Sequence, residues 1–309
     1  MTTVITPYIQ NRSRFTARRI TNAIMLTLTG AVTLLALLPL FWIIGYVIFK
    51  GGQYINLDFI TQMPKPLGVQ GGGVLHAMQG TLILTMLSAI IAIPPSIIIA
   101  FYAAFRPNTL LGIVLRFSTD VLSGVPSIVI GLVGYALIVK PQGHYSGLAG
   151  SFAIAVMMLP IIIRTTEEML KLVPNNLREG SLALGAAEWK TSLSVILPAA
   201  ANGVITGIML GIARVSGETA PLIFTTLGNE RYNIGQIVQG GDSFFQTLYN
   251  IVEQPMDSLP LTLWKYAQQP FPERVNQSWA VALVLMLFVL AINIVVRLWI
   301  RSRGTHLKG

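Results

Sequence analysis

The sequence predicts an all-α membrane protein with six transmembrane helices. Three observations carry that prediction. Of 309 residues, 53% are hydrophobic and only 11% are charged. A soluble domain carries about 25% charged residues, so too little polar surface is present to cover a core in water. Long uncharged stretches reach the ~20 residues that a helix needs to cross the hydrocarbon layer. The formal charge of +9 is distributed among the connecting segments in a way that sets a topology.

Residues 1–20 are polar and hold Arg12, Arg14, Arg18 and Arg19. The first span is assigned to 21–50, with an apolar run from about residue 23 to 49. That run is too long for the ~7–15-residue core of a signal peptide. A Gly-rich polar loop covers 51–79. Its Gly71-Gly72-Gly73 run lacks the Lys and Ser/Thr of a phosphate-cradling P-loop, so it is read as a flexible connection. The second span, about 81–105, contains Pro94 and Pro95, read as a kink, because backbone in lipid must satisfy itself. After the turn Arg106-Pro107-Asn108, the third span runs over about 111–139, through Pro126 and Gly131. Arg116 and Asp120 stand at i,i+4 within it, a spacing that lets them pair on one face. The fourth span, about 148–163, passes into a charged helical stretch with Arg164, Glu167 and Glu168. A polar segment, 171–197, precedes the fifth span, about 198–226, where Pro198 suits an early helical position. Residues 227–278 form a long segment outside the membrane. The sixth span runs from Trp279 to about Trp299. At ~1.5 Å per residue these tryptophans lie ~30 Å apart, the spacing of two interfacial anchors. A tail, 301–309, completes the chain. Residues 80–300 thus form a core of five spans.

Orientation follows from the cations. The N-terminal segment holds four, and the tail from Arg297 holds four more. An even number of spans puts both ends on one side, which also receives Arg106, Arg116, Arg164, Lys171, Arg178 and Lys190. The other side receives Lys50, Lys65, Lys140, Arg231, Lys265 and Arg274 over more residues. Both termini are therefore expected in the cytoplasm. The basic balance is explained by topology and needs no nucleic acid. With no cysteine in the chain, disulfides and thiolate chemistry are excluded. His76, His144 and His306 are too far apart in sequence for a ligand spacing and are read as ordinary loop histidines. No catalytic and no metal site is expected.

Two stretches carry function. In the first, Arg178-Glu179-Gly180-Ser181-Leu182-Ala183-Leu184-Gly185-Ala186-Ala187-Glu188-Trp189-Lys190 reads as two short helices broken at Gly185, where glycine permits a sharp turn. Val195-Ile196-Leu197-Pro198 follows. In the second, Arg214-Val215-Ser216-Gly217-Glu218-Thr219-Ala220-Pro221-Leu222, an arginine lies near the middle of an apolar run. Its insertion costs ~2.5–3.5 kcal/mol or more, so it is expected to face a cavity. Glu218, one turn on, can pair with it. A buried pair gains little over apolar residues of the same volume, which favours an anion pathway lined by Arg214, Glu218 and Thr219. Arg116, Asp120, Arg164, Glu167 and Glu168 are candidates for a gate or for structural ion pairs. No Gly-x-x-x-x-Gly-Lys-Ser/Thr sequence occurs, so any ATP-driven machine built on this chain borrows its ATPase.

Glu179, Gly185, Leu197 and Pro198 resemble the signature loop of ABC importer permeases, with Gly180 and Ser181 where that pattern prefers two alanines and Val195 in place of Ile. The Arg214–Leu222 stretch sharpens the likeness. So do Gly124-Val125-Pro126-Ser127-Ile128-Val129-Ile130-Gly131-Leu132 and Leu159-Pro160-Ile161-Ile162-Ile163-Arg164-Thr165-Thr166-Glu167-Glu168. Together they make roughly residues 70–300 similar to the PstA-type permeases of phosphate-specific ABC importers. The resemblance implies a type I, MetI-like permease core in a bacterial inner membrane. It implies that inorganic phosphate is the cargo, with other oxyanions such as molybdate, sulfate or phosphonate as the alternative. The implied partners are a homologous PstC-type permease, two copies of an ATP-binding subunit that uses ATP and Mg, and a periplasmic phosphate-binding protein. The chain itself is implied to bind no cofactor. Glu179, Gly185, Ala186, Glu188 and Trp189 are implied to form the loop that docks on the ATPase.

Overall fold

A computed structural model describes residues 12–67, 69, 71–240 and 243–304. In chain order it contains α1 (Arg12–Gly52), α2 (Leu57–Thr61), α3 (Leu75–Phe105), α4 (Leu110–Gly124), α5 (Ser127–Gly134), a π-turn (Tyr135–Val139) and α6 (Lys140–Gln142). Then come α7 (Gly147–Lys171), α8 (Asn175–Ala183), α9 (Glu188–Thr191), a second π-turn (Ser192–Ile196) and α10 (Leu197–Val215). The remainder is α11 (Ala220–Thr225), α12 (Ile234–Gln239), α13 (Phe244–Glu253), α14 (Leu259–Ala267) and α15 (Pro272–Gly304). The described residues contain no strand. Five helical segments are long and apolar enough to cross a membrane, and there are six if the bent pair 110–124 and 127–142 is one span.

The chain divides into two units, Met1–Lys50 and Gly51–Gly309. The first is most of α1, a single apolar helix running through Pro39. The second is organised around α7, the most buried of the membrane helices. Its first half presents Gly147, Ala149, Gly150, Ser151 and Ala153, all buried. Small residues let helix backbones approach where no hydrophobic force draws them together. A Cβ on Gly150 would lie 2.4 Å from the Thr226 side chain and 3.1 Å from those of Leu222 and Leu84. Leu84, Ile154, Met158, Ile162, Leu222 and Met256 form the central core. Ile163, Leu170, Ile196 and Val204 close one end of it.

Two sequence expectations change. The third span is not one rod: α4 and α5 meet at 105°. The residue before a proline is pushed to extended backbone, and Val125, before Pro126, has φ −72° and ψ 128°. The fifth span begins earlier and stops sooner. Helical backbone is continuous from Glu188 to Val215, breaks over residues 216–219 and resumes in α11 with Pro221 in its first turn. Each π-turn ends two residues before a proline, Pro141 or Pro198. The wider turn relieves the clash of the proline ring with the carbonyl four residues back. The segment assigned outside the membrane also contributes to the core: Met256, Asp257 and Leu259 are fully buried, with Leu259 and Tyr266 packed among Phe59, Val74 and Val281. The Trp299 side chain and residues 305–309 lie outside the described residues.

Candidate anion pathway

Three stretches that are far apart in sequence meet here. Leu122, Ser123, Val125 and Ile130 come from the α4–α5 elbow, and Met157, Pro160, Ile161, Arg164 and Thr165 from α7. With Arg214 at the end of α10 they line one cavity of about 350 Å³. The elbow is held against the other break by a close approach, since a Cβ on Gly131 would sit 2.6 Å from the Pro221 Cα. Arg214 occupies the last turn of α10, not the middle of an unbroken helix. There the carbonyl end of the helix favours a cation. Its side chain is 62% exposed and stands 3.8 Å from Glu218, so it does not point into a sealed bundle. Glu218 and Thr219 are not among the residues lining this cavity. Glu218 bears on it through Arg214, and Thr219 stands just before α11, its side chain making no capping hydrogen bond.

A second cavity, of about 280 Å³, adjoins the first and shares Arg164 with it. Its wall carries Arg116, Asp120, Arg164, Glu167, Glu168 and Lys171 with Thr119. The expected pairing of Arg116 with Asp120 along α4 is replaced by pairing between helices. Arg116 Nε donates to Glu167 Oε1 at 2.7 Å and its Nη2 to the Ala103 carbonyl at 2.7 Å. Lys171 Nζ reaches the same Glu167 oxygen at 2.6 Å. Asp120 pairs instead with Arg164. The α4 side chains cross to α7, where each meets an opposite charge: Glu167 largely buried, Arg164 half exposed. Of this network, sequence spacing alone signals only Glu167–Lys171, at i,i+4.

The 171–197 segment folds as two short helices around Gly185, whose φ is +82°, a conformation that glycine adopts without a steric cost. Ser181 and Thr191 hydroxyls lie 2.9 Å apart across the turn. Glu188 accepts from Arg178 at 3.3 Å and from Arg106, just beyond α3, at 3.1 Å. Arg178 also lies over the Phe105 ring, 5.4 Å from its centroid. Leu184 and Trp189 project outward, 90% and 68% exposed. Ala186 is partly buried and Glu179 is exposed.

Sequence reasoning missed a polar cluster at the other end of the core. His76, read as a loop histidine, lies in the first turn of α3, fully buried, with Nε2 3.9 Å from Asp257 Oδ2. Asp257 also accepts from Lys265 Nζ at 3.0 Å. Arg274 stacks over Tyr266 at 4.5 Å and donates to the Lys65 carbonyl. Burial pushes the Tyr266 hydroxyl pKa well up. No group of three or more metal-ligating side chains occurs among the described residues.

A family model described as binding-protein-dependent transport system inner membrane component matches residues 96–303. The chain is 39% identical, over 91% of its length and 90% of the relative's, to a protein of Yersinia pestis named phosphate transport system permease protein PstA. It is 37% identical to the protein of that name from Haemophilus influenzae, over 94% of this chain and 97% of the other. Among solved structures, a chain of the MetNI methionine ABC transporter in an inward-facing conformation superimposes with a TM-score of 0.57 at 16% identity, covering 74% of this chain and 95% of that one. At that identity the likeness speaks for the fold alone.

Proposed function

This chain belongs to the family of binding-protein-dependent transport system inner membrane components, and from that premise we propose how it works as the permease subunit of an ATP-driven inorganic phosphate importer. The carrying observation is the convergence of the three motif stretches on one open cavity that holds Arg164 and Arg214. Guanidinium groups stay charged and donate in a planar fork, which suits a tetrahedral oxyanion. Arg214 makes the contact with the passing phosphate. Glu218 accepts from a proton-bearing phosphate oxygen, so Glu218→Gln relaxes the preference for phosphate over sulfate in uptake assays. Thr219 fixes the turn that carries Glu218.

Charges 62% and 53% exposed, on Arg214 and Arg164, are too costly to leave against lipid. A homologous permease supplies the facing wall, and the apolar side chains of α4 and α5 that stand open, Phe117, Val121, Val129 and Leu132, face it or lipid. Two ATP-binding subunits dock on the 171–197 loop through Leu184 and Trp189, with Glu179 at the contact and Gly185 and Ala186 shaping the turn. ATP-driven closure pushes this loop, and Glu188 passes the push to the foot of α3. Both termini lie on that cytoplasmic side. A periplasmic phosphate-binding protein docks on exposed parts of 51–79 and 227–278. The experiment is phosphate uptake by the reconstituted complex. Arg214→Ala assembles and loses transport, and Glu179→Ala transports less per ATP hydrolysed. Uptake by Arg214→Ala at the wild-type rate sinks the reading.

A further inference from the structure

Arg116 and Arg164 face the same cavity but are held differently. Arg116 spends its donors on Glu167 and a backbone carbonyl. Arg164 has one described ionic partner, Asp120, and both side chains are half exposed, 53% and 52%. A guanidinium carries five N–H donors, so most of those on Arg164 remain free. Arg164 is also the one residue common to both cavities. The hydroxyls lining the first cavity cannot replace it: Ser123 donates to the Asp120 carbonyl at 2.7 Å and Thr165 to the Ile161 carbonyl at 2.9 Å. Free donors for an anion there come from Arg214 and Arg164. Each already faces one carboxylate, Glu218 or Asp120, so these four groups sum to zero charge before an anion enters. An added oxyanion therefore competes with a carboxylate for its guanidinium.

We propose that Arg164 is a second anion station, one step beyond Arg214, and that Asp120 is its internal stand-in, displaced when phosphate arrives and returning to expel it. This rests on the reading of the chain as a phosphate permease. Arg116, Lys171, Glu167 and Glu168 surround the station and set its background charge.

The test is equilibrium binding of radiolabelled inorganic phosphate to the complete permease–ATPase complex in nanodiscs, without the binding protein. Asp120→Asn, nearly isosteric, removes the competitor and tightens phosphate binding about tenfold. Arg164→Gln weakens it by a similar factor, and Arg164→Lys falls between. In the double variant the tightening disappears. A purely structural ion pair predicts that both single variants lose stability and move affinity the same way, or not at all, and either result overturns the proposal. Sulfate and molybdate are measured in parallel. Opposite shifts seen with one of those anions and not with phosphate keep the station and overturn phosphate as the cargo.

Discussion

The two ends of the core both carry ion pairs, and they carry them differently. At one end, Asp257 is fully buried, bonded to Lys265 at 3.0 Å and backed by His76. At the other, Asp120 and Arg164 are half exposed along a cavity, and Arg214 is more open still. A pair whose carboxylate is fully buried admits no exchange at it, so its work is to hold helices in place. An open pair can exchange its carboxylate for a visiting anion. On the proposed reading, accessibility, more than the presence of charge, separates scaffold from pathway.

The largest effect that would break this comparison comes from the sealed end. Asp257→Ala leaves the Lys265 ammonium without its counter-charge and costs about 3–5 kcal/mol, read as a lowered melting temperature of the solubilised complex. The surviving folded fraction keeps its preference among anions. Arg214→Ala, at the open end, inverts the pattern. Stability changes little, while phosphate uptake falls about a hundredfold, a change of about 2.7 kcal/mol in transport free energy. Between the ends, Gly131→Val forces α5 away from Pro221 and costs about 1–3 kcal/mol by overpacking, with lost stability and lost uptake together. The smallest effect belongs to Glu188→Gln. Its pairs with Arg106 and Arg178 are at the surface and contribute within about 1 kcal/mol, so melting is nearly unchanged and only the uptake obtained per ATP hydrolysed declines. A Glu188→Gln variant as unstable as Asp257→Ala would erase the distinction.

Much of the fold is legible in the sequence, because lipid enforces long apolar helices and leaves few alternatives. The three motif stretches are legible as well, and so is the need of Arg214 for a cavity. The breaks at Val125-Pro126 and at Ser216–Thr219 are not. Proline inside an apolar run is compatible with a kink or a full turn, and the close packing of Gly131 on Pro221, which accompanies the turn, cannot be read from spacing. The partner of Asp120 is hidden for a related reason: spacing along a helix reveals neighbours at i,i+4, while Arg164 arrives from another helix. Hydropathy places Asp257 and Lys265 in a connecting segment because they are polar, and it gives no sign that the fold buries the Asp257 carboxylate completely.

The contact between Gly131 and Pro221 has a mechanical consequence. Two elbows from distant parts of the chain touch with no room for even a methyl group between them. Neither can move further toward the other without displacing it. On the proposed reading, an inward push on either elbow is handed straight to the other, with no slack to absorb it.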